Sequence, residues 1–268
     1  MTGPEKDLSQ RFLDEHEELK PGQDFHFACH PGVSCFGACC SALDLMLTPY
    51  DVLRLRRATG QSSRAFVHEY ADMSAMPGVG LPLLSLHMQD TDAKRCPFST
   101  HGACAVYQDR PSACRTYPLG RATRPVCAGE ASGPDEPCKP KMEEQIFVIR
   151  ERHCKGFAEA AQWSPASWME DQGLTPYNVS NDRYVALAAD LRGHGHLSAQ
   201  QSGMAGLALY QPDDFQRFLA GAHVLERLDM TDELRAAVLR DEEACLDFGF
   251  DWLELSLLGH AEHLHPKG

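Results

Sequence analysis

The residues of this chain with the clearest capacity for chemistry are its 11 cysteines, in a total of 268 residues. Four of them lie within the stretch CHPGVSCFGACC at 29–40, and ten of the 11 lie between Cys29 and Cys154. Clustered thiols can form disulfides, act as a redox pair or bind a metal. These uses need different compartments and different partners, so the rest of the sequence can distinguish between them.

The compartment that the sequence predicts is the cytoplasm. The first residues, MTGPEKDLSQRFLDEHEELKPG, contain no apolar run of a secretory signal, and no stretch approaches the ~18 apolar residues of a membrane span. Cytoplasmic thiols are kept reduced, so we expect ligands in preference to disulfides. The formal net charge of -13 argues against a nucleic-acid partner, and no membrane partner is expected.

A second stretch, CPFSTHGACAVYQDRPSACRTYP at 96–118, and the later HCKG at 153–156 supply further thiols. Eight thiols are enough for two tetrahedral four-thiolate sites or for iron–sulfur clusters. The number of thiols and the adjacent pair slightly favour iron, as ions or an iron–sulfur cluster, with zinc as the alternative. The predicted metal ligands are Cys29, Cys35, Cys39, Cys40, Cys96, Cys104, Cys114 and Cys154.

The adjacent cysteines Cys39 and Cys40 cannot comfortably form a disulfide with each other, because bridging neighbours strains the bond. They serve two neighbouring ions, or one is a ligand and the other a packed thiol. Cys127 and Cys138 stay open as additional ligands, a redox pair or neither. Cys245, in an amphipathic helical pattern, is predicted to be a core residue.

Turn residues and charges around the thiols fit a metal site. Gly37 permits a tight turn within the first cluster. A divalent ion with four thiolates has a net charge near minus two, so nearby cations and N–H donors are expected. The candidates for that role are Arg95, Arg110, Arg115 and Lys155, and the histidines next to proposed ligands are His30, His101 and His153.

The pattern of the whole chain predicts an α-rich α+β fold. An irregular, cysteine-rich metal-binding region with a short β-hairpin is followed by a small helical bundle. We divide the chain into an acidic N-terminal segment at 1–26, the cysteine-cluster region at 27–160 and a helical C-terminal region at 161–268. The hairpin is predicted to pair CRTYPLG at 114–120 with EQIFVIR at 144–150.

Several helices have clear boundaries in the sequence. Thr48 is a predicted N-cap with Pro49 at the first helical position and Asp51 as the capping-box acid, and Gly60 is the predicted stop. A second helix is predicted from residue 62 or 63 to 75, followed by an extended segment at 78–89. Ser164 is predicted to cap another helix downstream.

The cysteine-bearing stretches together resemble the YkgJ-like cysteine-cluster family of zinc- or iron-chelating domains. The resemblance covers roughly residues 27–156, and WSPASWMEDQGLTPYN resembles a longer bacterial subgroup. Common members space the first cluster C-x2-C-x2-C-C, whereas this chain has C-x5-C-x3-C-C. The matching residues are Cys39, Cys40, Cys96, Pro97, Phe98, Tyr107, Arg110, Pro111, Cys114, Arg115, Tyr117 and Pro118.

The resemblance implies metal chelation and leaves three functions open. The first is a metal-binding protein with a helical region that covers the site or presents a partner surface. The second is a metal-dependent modifying or redox enzyme, since a related pattern occurs in the iron–sulfur flagellin lysine methylase; it requires polar residues beside the metal, for which the candidates are Tyr107, Asp109, Arg110 and Tyr117. The third is a metal-stabilised interaction module. The sequence identifies no protein partner.

Overall fold

The computed structural model describes residues 16–127 and 140–267, without the side chains of Cys127 and Pro140. Cys138 and the Cys127 side chain, which the sequence left open, therefore lie outside the described part. In these ranges the fold is helix-rich α+β, as predicted. The nine α-helices described there are α1 Pro49–Thr59, α2 Ser63–Tyr70, α3 Ser112–Thr116, α4 Pro165–Asp171, α5 Thr175–Arg192, α6 Ala199–Tyr210, α7 Pro212–Gly221, α8 Asp232–Arg240 and α9 Glu242–Leu253.

Short strands accompany the helices in the first half of the chain. The strands are β1 Glu17–Glu18, β2 Phe25–His26, β3 Met46–Leu47, β4 Ala71–Ala75, β5 Pro82–Leu86, β6 Ser99–Thr100, β7 Ala103–Cys104, β8 Leu119–Cys127, β9 Pro140–Val148 and β10 Gln162–Trp163. They form three small antiparallel sheets with the orders β1-β9-β8, β3-β5-β4 and β10-β2, and β6 pairs with β7.

The helix α1 begins and ends where the sequence predicts. The Thr48 side chain accepts the Asp51 N–H while the Asp51 carboxylate accepts the Thr48 N–H, which completes a capping box. At the other end Gly60 has a φ of 67°, the left-handed conformation of a helix stop. The Ser164 cap of α4 is also confirmed.

The helix α2 is shorter than predicted. It ends at Tyr70, and the residues predicted to continue it form β4, which pairs along its whole length with β5. The long-range pairing with β5 overrides the local helical pattern there. The predicted extended segment is confirmed as β5.

The predicted hairpin exists, but its first strand starts later and its strands are longer. Leu119 pairs with Val148 at one end, and Cys127 pairs with Pro140 at the other. Residues 112–116, which overlap the predicted strand, are the helix α3. Cys114 therefore lies on a helix that precedes the hairpin.

Two hydrophobic clusters hold the fold together. The major cluster joins residues from Leu45 to Val106 with residues from Leu174 to Leu264, so the cysteine-rich half and the helical half pack on each other. Cys245 is fully buried in it, as predicted. The division at residues 26 and 160 stays a prediction. The minor cluster consists of Phe25, Phe27, Leu119, Ile146, Val148 and Trp168.

Candidate metal centre

Four of the eight predicted ligands line one small cavity. We call Cys29, Cys35, Cys39 and Cys154 the cavity group. The cavity has a volume of about 30 Å³, and its other walls include Tyr117 and His153. A space of this size holds one or two atoms as large as a water molecule, which suits a metal ion.

Backbone contacts close the cavity by joining residues far apart in sequence. The Ala28 N–H donates to the Gly156 carbonyl at 3.1 Å. A Cβ on Gly156 would lie 2.6 Å from the Ala28 carbonyl oxygen, so only glycine permits this approach. The adjoining Lys155 N–H donates to the Cys35 sulfur at 3.1 Å. Lys155 therefore supplies an N–H donor to sulfur, as expected of a residue beside a thiolate site.

The other four predicted ligands are Cys40, Cys96, Cys104 and Cys114. We call them the hairpin group, after the short β6–β7 hairpin on which Cys104 lies and not the longer β8–β9 hairpin. The Cys96 N–H donates to the Cys40 carbonyl at 2.9 Å, and Cys104 lies on β7 opposite Ser99. Backbone N–H groups of Phe98 and Ser99 favour the Cys96 thiolate, and that of Val106 favours the Cys104 thiolate. N–H groups near sulfur are the surroundings that stabilise thiolates.

The first cluster is packed directly against the turn between β6 and β7. Gly37 has a φ of 77°, and a Cβ at this position would lie 2.7 Å from the Gly102 carbonyl oxygen. Glycine is required both for the backbone conformation and for the close approach. This contact fixes residues 35–40 next to the loop that carries Cys96 and Cys104.

Cys114 is positioned by a buried carboxylate. Asp51 on α1 accepts the Ser112 N–H at 2.6 Å and the Ser112 hydroxyl at 3.1 Å. It also accepts the Thr48 N–H and hydroxyl, and it is fully buried. The sequence assigned Asp51 to the capping box and missed its second role, because that role depends on a contact 61 residues away.

The helix α4 and its C-terminal cap hold α3 from the other side. The Trp168 indole N–H donates to the Thr116 carbonyl at 3.0 Å, and Arg115 donates to the Gln172 carbonyl at 2.7 Å. Arg110 also donates to the Gln172 side chain. No local pattern identifies Gln172, because these bonds join segments more than 50 residues apart.

Within each group the thiols disfavour one another's ionisation. Loss of hydration, followed by Cys39, Cys35 and Cys154, raises the pKa of Cys29 to about 11. Cys114 is exposed as a residue, but the surrounding protein removes much of the hydration of its thiol. This loss of hydration, followed by Cys96 and other neighbours, raises the pKa of Cys114 to about 12. The pKa values of Cys96 and Cys104 are raised mainly by burial. A bound cation would relieve this repulsion.

The adjacent cysteines affect each other's ionisation. The neighbouring Cys40 thiol lowers the pKa of Cys39 to about 6, and Cys39 raises the pKa of Cys40. His153 also favours the Cys39 thiolate. Cys39 raises the pKa of Cys29 in the cavity group and of Cys114 in the hairpin group, so it lies where the two groups meet.

The four predicted compensating residues have different roles. Arg110 is buried, lies 3.9 Å above the Tyr107 ring and donates to the Tyr107 carbonyl at 2.6 Å. Its positive charge favours the thiolates of Cys29 and Cys104. Arg115 instead donates to three backbone carbonyls, and Arg95 forms a β-bridge with Ser41.

The candidate histidines and polar residues are also separated by the structure. His153 lines the cavity, whereas His30 accepts the Gly32 N–H and lies 3.5 Å from the Glu159 carboxylate. His101 is exposed in a left-handed turn. These positions leave His153 as the histidine beside the cavity.

Tyr117 is the polar residue of the proposed enzyme site that reaches the cavity. Its hydroxyl is buried without a hydrogen-bond partner of suitable geometry, and burial and then the neighbouring Cys154 raise the pKa of this phenol. Asp109 instead forms an ion pair with Arg54 at 2.6 Å. An unpartnered buried hydroxyl beside a thiol is available to donate to a thiolate.

The donor set fits a thiophilic ion. All nine cysteines whose side chains the structure describes are free of disulfides. Eight of them lie in two adjoining groups, one around the cavity and one whose thiols influence one another's pKa. In the residues that the structure describes, no three His, Cys, Asp or Glu side chains are already arranged to hold a metal ion. Binding therefore requires thiol side chains to turn towards a common centre.

The fold and these two thiol groups define a cysteine-cluster α+β protein. The chain belongs to the CxxCxxCC family, described as "Putative zinc- or iron-chelating domain", whose model matches residues 28–165. That range contains all eight predicted ligands, and the match confirms the cysteine-cluster family expected from the sequence. Comparison with curated proteins and with solved structures found no match. No helix in residues 16–127 or 140–267 is long and apolar enough to cross a membrane.

Proposed function

We propose that this protein binds iron, with zinc as the alternative, through the eight cysteines of the cavity and hairpin groups. The observation that carries the proposal is the convergence of eight free thiols from three separate stretches, with four of them around one ion-sized cavity. Thiolates are the ligands that iron and zinc share in tetrahedral sites. The family match supports chelation of one of these two metals.

The chemistry proposed is metal binding, because the cavity offers four thiols, the ligands of a thiophilic ion, around an ion-sized space of about 30 Å³. When bound, the metal would cross-link the segments around 29–40, 96–114 and 154, and its binding energy would stabilise the folded chain. The cytoplasm is the proposed location, because there the thiols stay reduced.

Anaerobic purification followed by metal analysis and a visible spectrum tests this proposal. We expect stoichiometric iron with thiolate-to-iron absorption, and loss of the metal when all eight cysteines are replaced by serine. A colourless protein with stoichiometric zinc would overturn iron in favour of zinc. A wild-type protein with no more of either metal than the eight-serine variant would overturn the function itself.

A further inference from the structure

We infer that the eight cysteines form two separate four-thiolate metal sites, one in the cavity group and one in the hairpin group, with Cys39 and Cys40 serving different sites. This inference rests on the proposed function and adds to it the number of sites and the membership of each. The family description gives neither.

The composition of the cavity wall separates the two groups of thiols. The cavity is lined by Cys29, Cys35, Cys39 and Cys154, which are all four members of the cavity group. None of the hairpin-group thiols belongs to that wall as the structure describes it. The wall of the cavity therefore supplies four thiols, the number that a tetrahedral site needs once their side chains turn towards a common ion.

Members of the two groups pack against different hydrophobic clusters. Cys154, together with Tyr117, packs against the minor cluster. Cys96 and Cys104 pack against the major cluster. Because these members of the two groups pack against different clusters, gathering all eight thiols around a single ion would require Cys154, or Cys96 and Cys104, to leave that packing.

The backbone places the adjacent cysteines Cys39 and Cys40 beside different groups. Cys40 is tied to the hairpin side by the bond from the Cys96 N–H, and Ser41 continues this pairing through a β-bridge to Arg95. Cys39 faces the cavity. The backbone of Cys40 thus lies against the loop that carries Cys96, while Cys39 lines the cavity, so the two adjacent residues are placed beside different groups.

A shared cation fits two neighbouring sites. Two divalent ions with four thiolates each would have a combined net charge near minus four. The buried Arg110 guanidinium favours thiolates in both groups, namely Cys29 in one and Cys104 in the other. It is held by the Tyr107 carbonyl and Gln172 and needs no movement to serve both.

The experiment is a titration of the reduced, metal-free full-length chain with Co²⁺, whose visible absorption reports tetrahedral thiolate coordination. Two variants each disable one site, C35S/C154S for the cavity group and C96S/C104S for the hairpin group. The matched control is C245A, which removes a buried cysteine outside both groups. Far-ultraviolet circular dichroism shows that each variant is folded before titration.

We expect two equivalents of Co²⁺ for the wild type and C245A, and one equivalent for each double variant. One equivalent for the wild type, or loss of all binding in both folded double variants, would overturn the partition while leaving metal binding intact. If a double variant does not fold, the wild-type stoichiometry and the number of sulfur neighbours per cobalt, measured by X-ray absorption, decide the question. Failure of the proposed function looks different, since the wild type would then bind no more Co²⁺ than the eight-serine variant.

Discussion

The carboxylate of Asp51 on α1 accepts the backbone N–H of Ser112 on α3 at 2.6 Å, and this bond ties the first helix to the helix that carries Cys114. The same carboxylate accepts the Ser112 hydroxyl and both polar hydrogens of Thr48. Four donors thus converge on one fully buried side chain. Asp51 is therefore a positioning residue for the hairpin group.

Replacement of Asp51 by alanine should destabilise the protein by about 3 kcal/mol, because it leaves four buried donors without an acceptor. The measurement is urea unfolding under reducing conditions with saturating zinc. Asp44→Ala is the control, since Asp44 is exposed and its loss should change the free energy of unfolding by less than about 0.5 kcal/mol. Equal stability of the two variants would show that the Asp51 contacts contribute nothing.

Stability should also depend on the ionisation of Asp51. Burial raises the pKa of this carboxyl, and the hydrogen bonds from Ser112 and Thr48 only partly offset the rise. A group whose pKa is higher in the folded state stabilises the fold below its unfolded pKa, and the contribution is lost as the pH rises through the folded value. The difference in unfolding free energy, wild type minus Asp51→Asn, should therefore decrease as the pH rises above about 4, the pKa of an unfolded Asp. An increase would mean that the four donors lower the pKa instead.

Loss of the Arg110 charge should weaken metal retention. Replacement of Arg110 by methionine is expected to speed zinc transfer to a chromogenic chelator by about tenfold, since partners of metal ligands typically contribute this much to affinity. Arg110→Lys keeps the charge and should retain most of the protection, which a purely structural role would not predict. The control is Arg124→Met, at an exposed arginine paired with Glu143. Identical rates for R110M and R124M would contradict the electrostatic role.

The contact between Gly37 and Gly102 should be sensitive to a single methyl group. Gly37 and Gly78 both have a φ of 77°, but a Cβ on Gly78 would meet nothing within 4 Å. Gly78→Ala should therefore cost about 1 kcal/mol from backbone strain alone. Gly37→Ala should cost about 2 kcal/mol more, because its Cβ would collide with the Gly102 carbonyl. Urea unfolding of both variants measures the difference, and equal costs would contradict the close packing.

The sequence predicted the features that depend on nearby residues. The capping box of α1 lies within four residues, the stop at Gly60 depends on one backbone angle, and the apolar pattern around Cys245 identifies a core position. The composition and spacing of the cysteines were sufficient for the family. All of these signals are local or compositional.

The features that the sequence did not predict depend on contacts between distant segments. Residues 71–75 continue a helical pattern, yet they form β4 because β5 offers a pairing partner. The bonds from Asp51 to Ser112 and from Arg110 to Gln172 each join segments about 60 residues apart. The division of the thiols into two groups likewise follows from the packing of α3, the β6–β7 turn and residues 153–156 around the first cluster.

X-ray absorption at the metal edge of the anaerobically purified protein measures which atoms hold the metal. We predict a first shell of four sulfur atoms per metal, at about 2.3 Å if the metal is zinc. The spectrum should contain no nitrogen or oxygen neighbours in that shell, because the predicted ligand sets are complete with thiolates. A first shell dominated by nitrogen or oxygen would show that the cysteines are not the main ligands of the metal.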